Sequence, residues 1–251
     1  MKNSIIPLLL FCLSFFSVAL NAAHHKSADG FKSLFDGKTL KNWDGIDKFW
    51  RVDDGAIVGE TSADNPSKGN TFLVYRGGEF GNFELRFQYK VEGQNSGVQY
   101  RSEMIDEYVM KGLQADFEPR WHVDKNDPSK PPRDRFTGMF FEEKGRMFMG
   151  QRGDVVIVRA NHENPKKPLI EKIGSVGDPD ELEKAIKRDD WNDYTIIADG
   201  NKFIHMVNGI VLSIGIDEDE LNFKESGLLG FQLHGGIPIK IQVKNIRIRE
   251  L

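Results

Sequence analysis

Phe83-Glu84-Leu85-Arg86-Phe87-Gln88-Tyr89-Lys90-Val91 alternates apolar and polar residues without a break. Side chains on a strand point to opposite faces in turn, so this stretch presents one apolar and one polar face. It reads as a strand with one side on a core and the other in water. Ile239-Lys240-Ile241-Gln242-Val243-Lys244-Asn245-Ile246-Arg247-Ile248 repeats the pattern near the end of the chain. Shorter apolar runs surround these two. They cover 56–59, 71–75, 97–101, 113–117, 139–141, 155–159, 194–198, 202–207, 210–214 and 228–233. Asp199-Gly200-Asn201 and Asn208-Gly209 fall between such runs as tight hairpin turns, the second with the residues a type I′ turn requires.

One segment reads as helix, Pro179 to Arg188, with Asp178 as N-cap and Pro179 in the first turn. It is expected as a surface insertion. The stretches 122–135 and 161–168 read as long loops. A dozen or so short strands with one short surface helix predict an all-β fold of two packed antiparallel sheets.

Lys2, the apolar run from Ile5, and the small residues Ala22 and Ala23 read as a secretory signal peptide over 1–23. The apolar run is shorter than the ~20 residues a membrane span needs. One domain is expected over 24–251, in a periplasmic or secreted protein without a membrane span once the signal is cleaved. Cys12, the single cysteine of the chain, lies inside the signal segment, which excludes a disulfide framework and thiol catalysis. Net charge is −4 with both signs interspersed, so nucleic acid is not an expected partner.

The densest polar stretch runs from Gln94 to Asp116. On Gly97 to Arg101, Gln99 and Arg101 fall on one face and Val98 and Tyr100 on the other. On the next strand Gln114, Asp116 and Glu118 share a face opposite Leu113, Ala115 and Phe117. Such side chains are costly to bury dry. They line a wet groove, where amides and guanidinium meet hydroxyls, or face open solvent. Gln114-Ala115-Asp116-Phe117-Glu118 resembles the Glu-x-Asp-x-Glu string of retaining β-sandwich glucanases, but Gln114 is an amide and cannot be a carboxylate nucleophile. Phe140-Phe141-Glu142-Glu143 is an apolar strand ending in two acids, followed by Gly145-Arg146. Glu142 is a candidate general base or a surface acid paired with Arg146. Glu60 ends its own strand and carries the same two readings. His234 precedes a glycine-rich turn and shares a face with Gln232. It is a proton shuttle or a hydrogen-bonded structural residue. His205 reads as structural, and His122 as a candidate lid residue. No His-x-His or Glu-x-x-His spacing appears, so no dedicated transition-metal site is expected.

Several strings in order resemble one family. They are Phe31 to Trp43, Trp50 to Glu60, Asn95 to Arg101, Gly112 to Asp116, Glu142 to Arg146, Trp191 to Tyr194, Gly230 to Gly235 and Val243 to Ile248. The pattern is similar to the 3-keto-disaccharide hydrolase domain, formerly a domain of unknown function. The resemblance implies a concanavalin A-like jelly-roll sandwich. It implies action on a glycoside or oligosaccharide already oxidised at C3 by an upstream sugar dehydrogenase. The implied route removes the C2 proton, eliminates the C1 leaving group and adds water. On that basis Glu142 or Glu60 is the candidate base and His234 the acid, with Arg101, Gln99 and Gln114 on the ketone or hydroxyls. Asn95, Asp116 and Gln232 are further contacts. No cofactor is expected, although a divalent cation held by Asp116 and Glu142 would also polarise the ketone. Two other readings stay open: a glycan-binding module on the same sandwich, and an inverting glycosidase using Asp116 with Glu142.

Overall fold

The computed structural model describes residues 29–251 apart from positions 124 and 131. The expected signal peptide lies outside the described residues. Seventeen strands and one helix follow in order: β1 Lys32–Ser33, β2 Trp43–Asp44, β3 Trp50–Asp53, β4 Ala56–Glu60, β5 Thr71–Tyr75 and β6 Phe83–Glu92. Then come β7 Ser96–Asp106, β8 Val109–Phe117, β9 Phe140–Glu143, β10 Met147–Gly150, β11 Asp154–Arg159 and β12 Leu169–Ser175. The chain closes with α1 Pro179–Glu183, β13 Asn192–Asp199, β14 Lys202–Val207, β15 Ile210–Glu218, β16 Leu228–Leu233 and β17 Lys240–Glu250.

These strands build a two-sheet sandwich. A ten-stranded sheet runs β12-β11-β15-β14-β13-β6-β17-β4-β3, with β1 added on β17. A seven-stranded sheet runs β10-β9-β8-β7-β16-β5-β2. Pairing is antiparallel except between β11 and β15, which run parallel among the described strands.

The alternation in β6 does what the sequence predicts. Phe83, Leu85, Phe87 and Tyr89 are buried between the sheets, where Phe87 stacks on Tyr194 and Tyr89 meets Phe117. Each such aromatic pair adds roughly 0.5–1.5 kcal/mol beyond its buried area. From the other sheet, Val98, Tyr100, Ala115, Phe117, Phe140 and Phe231 complete the core. Gln99, Gln114, Asp116 and Gln232 therefore point out of the seven-stranded sheet, away from the core.

That outer face is folded over at one end. The β7–β8 hairpin is bulged near Tyr100 and bends back, so that the Phe72 N–H donates to the Tyr108 carbonyl at 3.0 Å. Met110 comes to rest on Phe72 and Val74. Gly230 permits this, because a Cβ there would lie 2.4 Å from the Met110 sulfur.

The helix is shorter than the sequence reading. Asp178 caps it as expected, accepting from the N–H groups of Asp180 and Glu181. After Glu183 the chain tightens into i→i−3 turns, and Asn192 takes over the Lys187 carbonyl. It lies at the surface as expected, with its inner side anchored: Leu182, and Ile186 just beyond it, join the core. Buried Glu183 gathers Arg120, Arg133 and Arg152. The helix thereby ties Arg120 and Arg133 to Arg152 of the sandwich.

Candidate active site

Five side chains on the outer face of the seven-stranded sheet, joined by Asn70 just before β5, form one hydrogen-bonded chain. Gln99 Nε2 donates to Gln114 Oε1 at 3.3 Å, and Gln114 Nε2 donates to Asp116 Oδ1 at 2.6 Å. Gln114 Nε2 also reaches Gln232 Oε1 at 3.4 Å. Gln232 Nε2 reaches Glu143 Oε2 at 3.4 Å, and Asn70 Nδ2 reaches Glu143 Oε1 at 3.4 Å. The curl of the sheet thus brings β9 across to β16 and to the residue before β5. Gly97 leaves room for the chain, since a Cβ there would lie 2.7 Å from Gln114 Cγ and 2.9 Å from Asp116 Oδ1.

The electrostatics differ along the row. Gln99, Gln114, Asp116 and Gln232 are buried. Burial pushes the Asp116 carboxyl well above its ordinary range, and nearby Glu118 and Glu143 push it further, against the Gln114 hydrogen bond. The Asp116 carboxyl is therefore biased toward its protonated form. Glu143 is half-buried and held only by long contacts, so it can turn toward a ligand. Gln99 Oε1 is buried and accepts from no described group, an unsatisfied acceptor at the end of the row.

His234 stands at the opening of the row. Its Nδ1 lies 2.9 Å from the Gly235 carbonyl. A carbonyl only accepts, so Nδ1 carries a proton, and in the neutral ring Nε2 is an acceptor. The Gly235 N–H donates to Asn70 Oδ1 at 3.0 Å, which ties His234 to the group touching Glu143. Asn95 sits half-buried in the turn leading into β7.

Three expected residues lie elsewhere. Glu142 points the opposite way from Glu143 and is buried against Arg146, which also holds Asp217 at 2.7 Å and Asp219 at 3.2 Å. The pairing with Arg146 is one of the two sequence readings, but it is in the interior rather than on the surface. Glu142 is thus one of three acids sharing one cation, a cluster that welds the end of β9 to β15. Glu60 lies on the outer face of the ten-stranded sheet, half-exposed and 2.6 Å from Arg51. The whole sandwich separates it from the row. Arg101 leaves its predicted face because the bulge puts it at φ 46°. Its guanidinium plugs the far end of the sandwich, donating to the Gly81, Gly200 and Lys224 carbonyls and to Asn82 Oδ1. The cation reading through Asp116 with Glu142 loses its geometry, since the two acids face opposite ways. No group of three potential metal ligands occurs among the described residues.

Sequence reasoning missed Glu143 and Asn70. Glu118 stays on the expected face but serves the fold. It accepts from Trp121 Nε1 at 2.8 Å, His122 Nε2 at 3.0 Å, and the backbone N–H groups of Arg135 and Phe136. Beyond it lies a cleft of about 930 Å³ that includes Trp121, His122, Arg135, Phe136, Met139 and Phe148 in its walls.

The model of the 3-keto-α-glucoside-1,2-lyase-like domain matches residues 30–249. The chain belongs to this family. A 3-keto-disaccharide hydrolase from Bacteroides thetaiotaomicron is 33% identical over 106 residues, 36% of each chain. The match thus spans about a third of that relative's length. Among solved structures, a Parabacteroides distasonis protein provisionally assigned as a glycosyl hydrolase aligns with TM-score 0.56 at 19% identity. It covers 89% of this chain and 95% of its own. A Bacillus subtilis protein of unknown function with a galectin-like fold aligns with TM-score 0.51 at 10% identity, covering 84% and 90%. These likenesses show the sandwich fold. The expected family and fold class are both borne out.

Proposed function

We propose that this protein cleaves 3-keto-glycosides by C2 proton abstraction, elimination and rehydration. Family membership and the curated relative support the substrate class. The observation that carries the chemistry is the joining of a buried Asp116, biased toward its protonated form, and a weakly held Glu143 in one amide-lined row. A C3 ketone acidifies the C2 hydrogen. Glu143 takes that proton, the electron pair forms the C1=C2 bond, and the C1–O bond breaks. Asp116 gives its proton to the departing oxygen. Water then adds, with hydroxyl to C1 and hydrogen to C2, so the net result is hydrolysis. The remaining amide N–H groups of Gln99 and Gln232 hold the ketone oxygen as it gains enolate charge, while Gln114, which donates to Asp116 and Gln232, fixes the row in place. His234 Nε2, an acceptor, holds a hydroxyl at the entrance rather than donating the proton. The expected acid role thus passes from His234 to Asp116.

An inverting glycosidase would use the same two groups, Asp116 as acid and Glu143 to activate water, so it is the 3-keto substrate class of the family that favours the elimination route. The row suits that route better than a plain glycan-binding surface, which has no need of a buried acid biased toward its neutral form. The substrate implies a C3-oxidising sugar dehydrogenase acting first, and residues 1–23 support action outside the cytoplasm. Turnover of a 3-keto-glucoside in deuterium oxide tests the route. The initial 3-keto-glucose product is expected to carry deuterium at C2. Retained C2 hydrogen would overturn it.

A further inference from the structure

The cleft beyond Asp116 has a composition of its own. Its wall is a run of aromatic rings. Trp121 and His122 have centroids 4.5 Å apart, His122 and Phe136 4.9 Å, and Phe136 and Phe148 6.1 Å. Phe148 then contacts Phe141 at 5.1 Å, and Phe141 pairs across the strands with Gln114 of the row. The aromatic run thus leads from the cleft to the strand beside Gln114 of the row.

Asp116 stands at the junction. Two residues further along the same face, Glu118 accepts from Trp121 and His122, which line the cleft. A proton donor to a leaving oxygen lies between the sugar it releases and the group that departs. The sugar row lies on one side of Asp116, so the departing group lies on the other.

The charge of the cleft narrows that group. Lys125, Arg133, Arg135 and Arg152 line it, against the single acid Asp134. Arg152 and Arg133 are committed to Asp134, Asp180 and Glu183. Arg135 is exposed and lies over the Phe136 ring, 5.5 Å from its centroid. A cationic cleft on a chain of net charge −4 selects for an anion.

We propose that this cleft is the leaving-group subsite and takes a planar aromatic aglycone bearing an acidic substituent, its ring against Phe148 and Phe136 and its anion on Arg135. The assignment of the cleft as a leaving-group subsite rests on the reaction above. The binding of an aromatic acid there does not.

The test is therefore a binding measurement without turnover. 4-Hydroxybenzoate is titrated by NMR into the wild type, Arg135→Gln, Arg135→Lys and Phe148→Ala, with phenol as the neutral control. Arg135 anchors the fold through its backbone N–H, and Phe148 is 54% exposed, so the variants are expected to fold. Equal melting temperatures check this. Saturable binding to the wild type is expected, about 10-fold weaker in Arg135→Gln, as one charge-assisted bond dictates, and recovered in Arg135→Lys. Phe148→Ala is expected to weaken both ligands, and phenol to ignore the Arg135 changes. No binding to the wild type, or equal affinity in all proteins, overturns the proposal. Cleavage of the 4-carboxyphenyl and methyl 3-keto-glucosides is then compared. Binding of the acid with neither glycoside cleaved sinks the reaction while leaving the aromatic-acid cleft standing.

Discussion

Glu142 and Glu143 are neighbours with opposite fates. Glu143 is half-buried on weak contacts, so Glu143→Gln should keep the fold and lose about 10²–10⁴ in kcat, the range for a positioned base. Glu142→Gln leaves Arg146 with two acids and should keep activity per folded molecule, at a cost of about 1.5–3 kcal/mol for a lost charged hydrogen bond. Arg146→Met strands three buried acids and should cost at least about 3–5 kcal/mol in urea unfolding. Asp116 carries a different signature. Its folded pKa is raised, so above the ordinary value of 3.8 the folded state binds more protons than the unfolded. Stability from this group falls as pH rises from there to the folded pKa. Asp116→Asn should remove that slope, melting above the wild type by a margin that grows with pH, while losing proton donation to the leaving group.

At the level of elements, the site depends on how close β7 lies to β8. Gly97→Ala would press a methyl against Gln114 and Asp116. Both are side chains that can shift, so a large fall in kcat with a small change in melting temperature is expected. An unchanged kcat would detach the row from the chemistry. The strands were legible where apolar runs are bounded by polar or glycine residues: β5, β14 and β16 end where the sequence predicts. The short strands β1, β2, β3 and β10 carry too few residues for a period to show, and β12 is exposed along most of its length, so no apolar pattern marks it. The Gln99, Gln114, Asp116 and Gln232 face was legible because period two puts polar residues opposite core residues. Glu143 was not, because Phe140 and Phe141 are both apolar and leave the facing of the next two acids undetermined. Arg101 escaped because a bulge breaks the period, and no residue type announces it.

Across the whole molecule, two sheets separate the candidate acids. Glu60 shares a strand-end position with a plausible base, but only the pairing of β4 with β17 reveals that it faces away. Glu60→Gln should therefore leave turnover intact and cost under about 1 kcal/mol, as for an exposed ion pair. His205 links the sheets from the other side. Its Nδ1–H donates to Met139 O and its Nε2 accepts from the Tyr100 hydroxyl, both at 2.9 Å, and burial holds its pKa down at about 4. The unfolded chain takes up a proton near 6.5 that the fold refuses until about 4. Stability should therefore drop between those values by about 3 kcal/mol, read from urea midpoints. The most direct measurement of the central claim is nitrophenol release by wild type and Glu143→Gln from p-nitrophenyl 3-keto-glucoside and its unoxidised parent, in both anomers. Release from a keto substrate alone, lost in Glu143→Gln, is the predicted result. Release from the unoxidised parent, or undiminished release by Glu143→Gln, would contradict it.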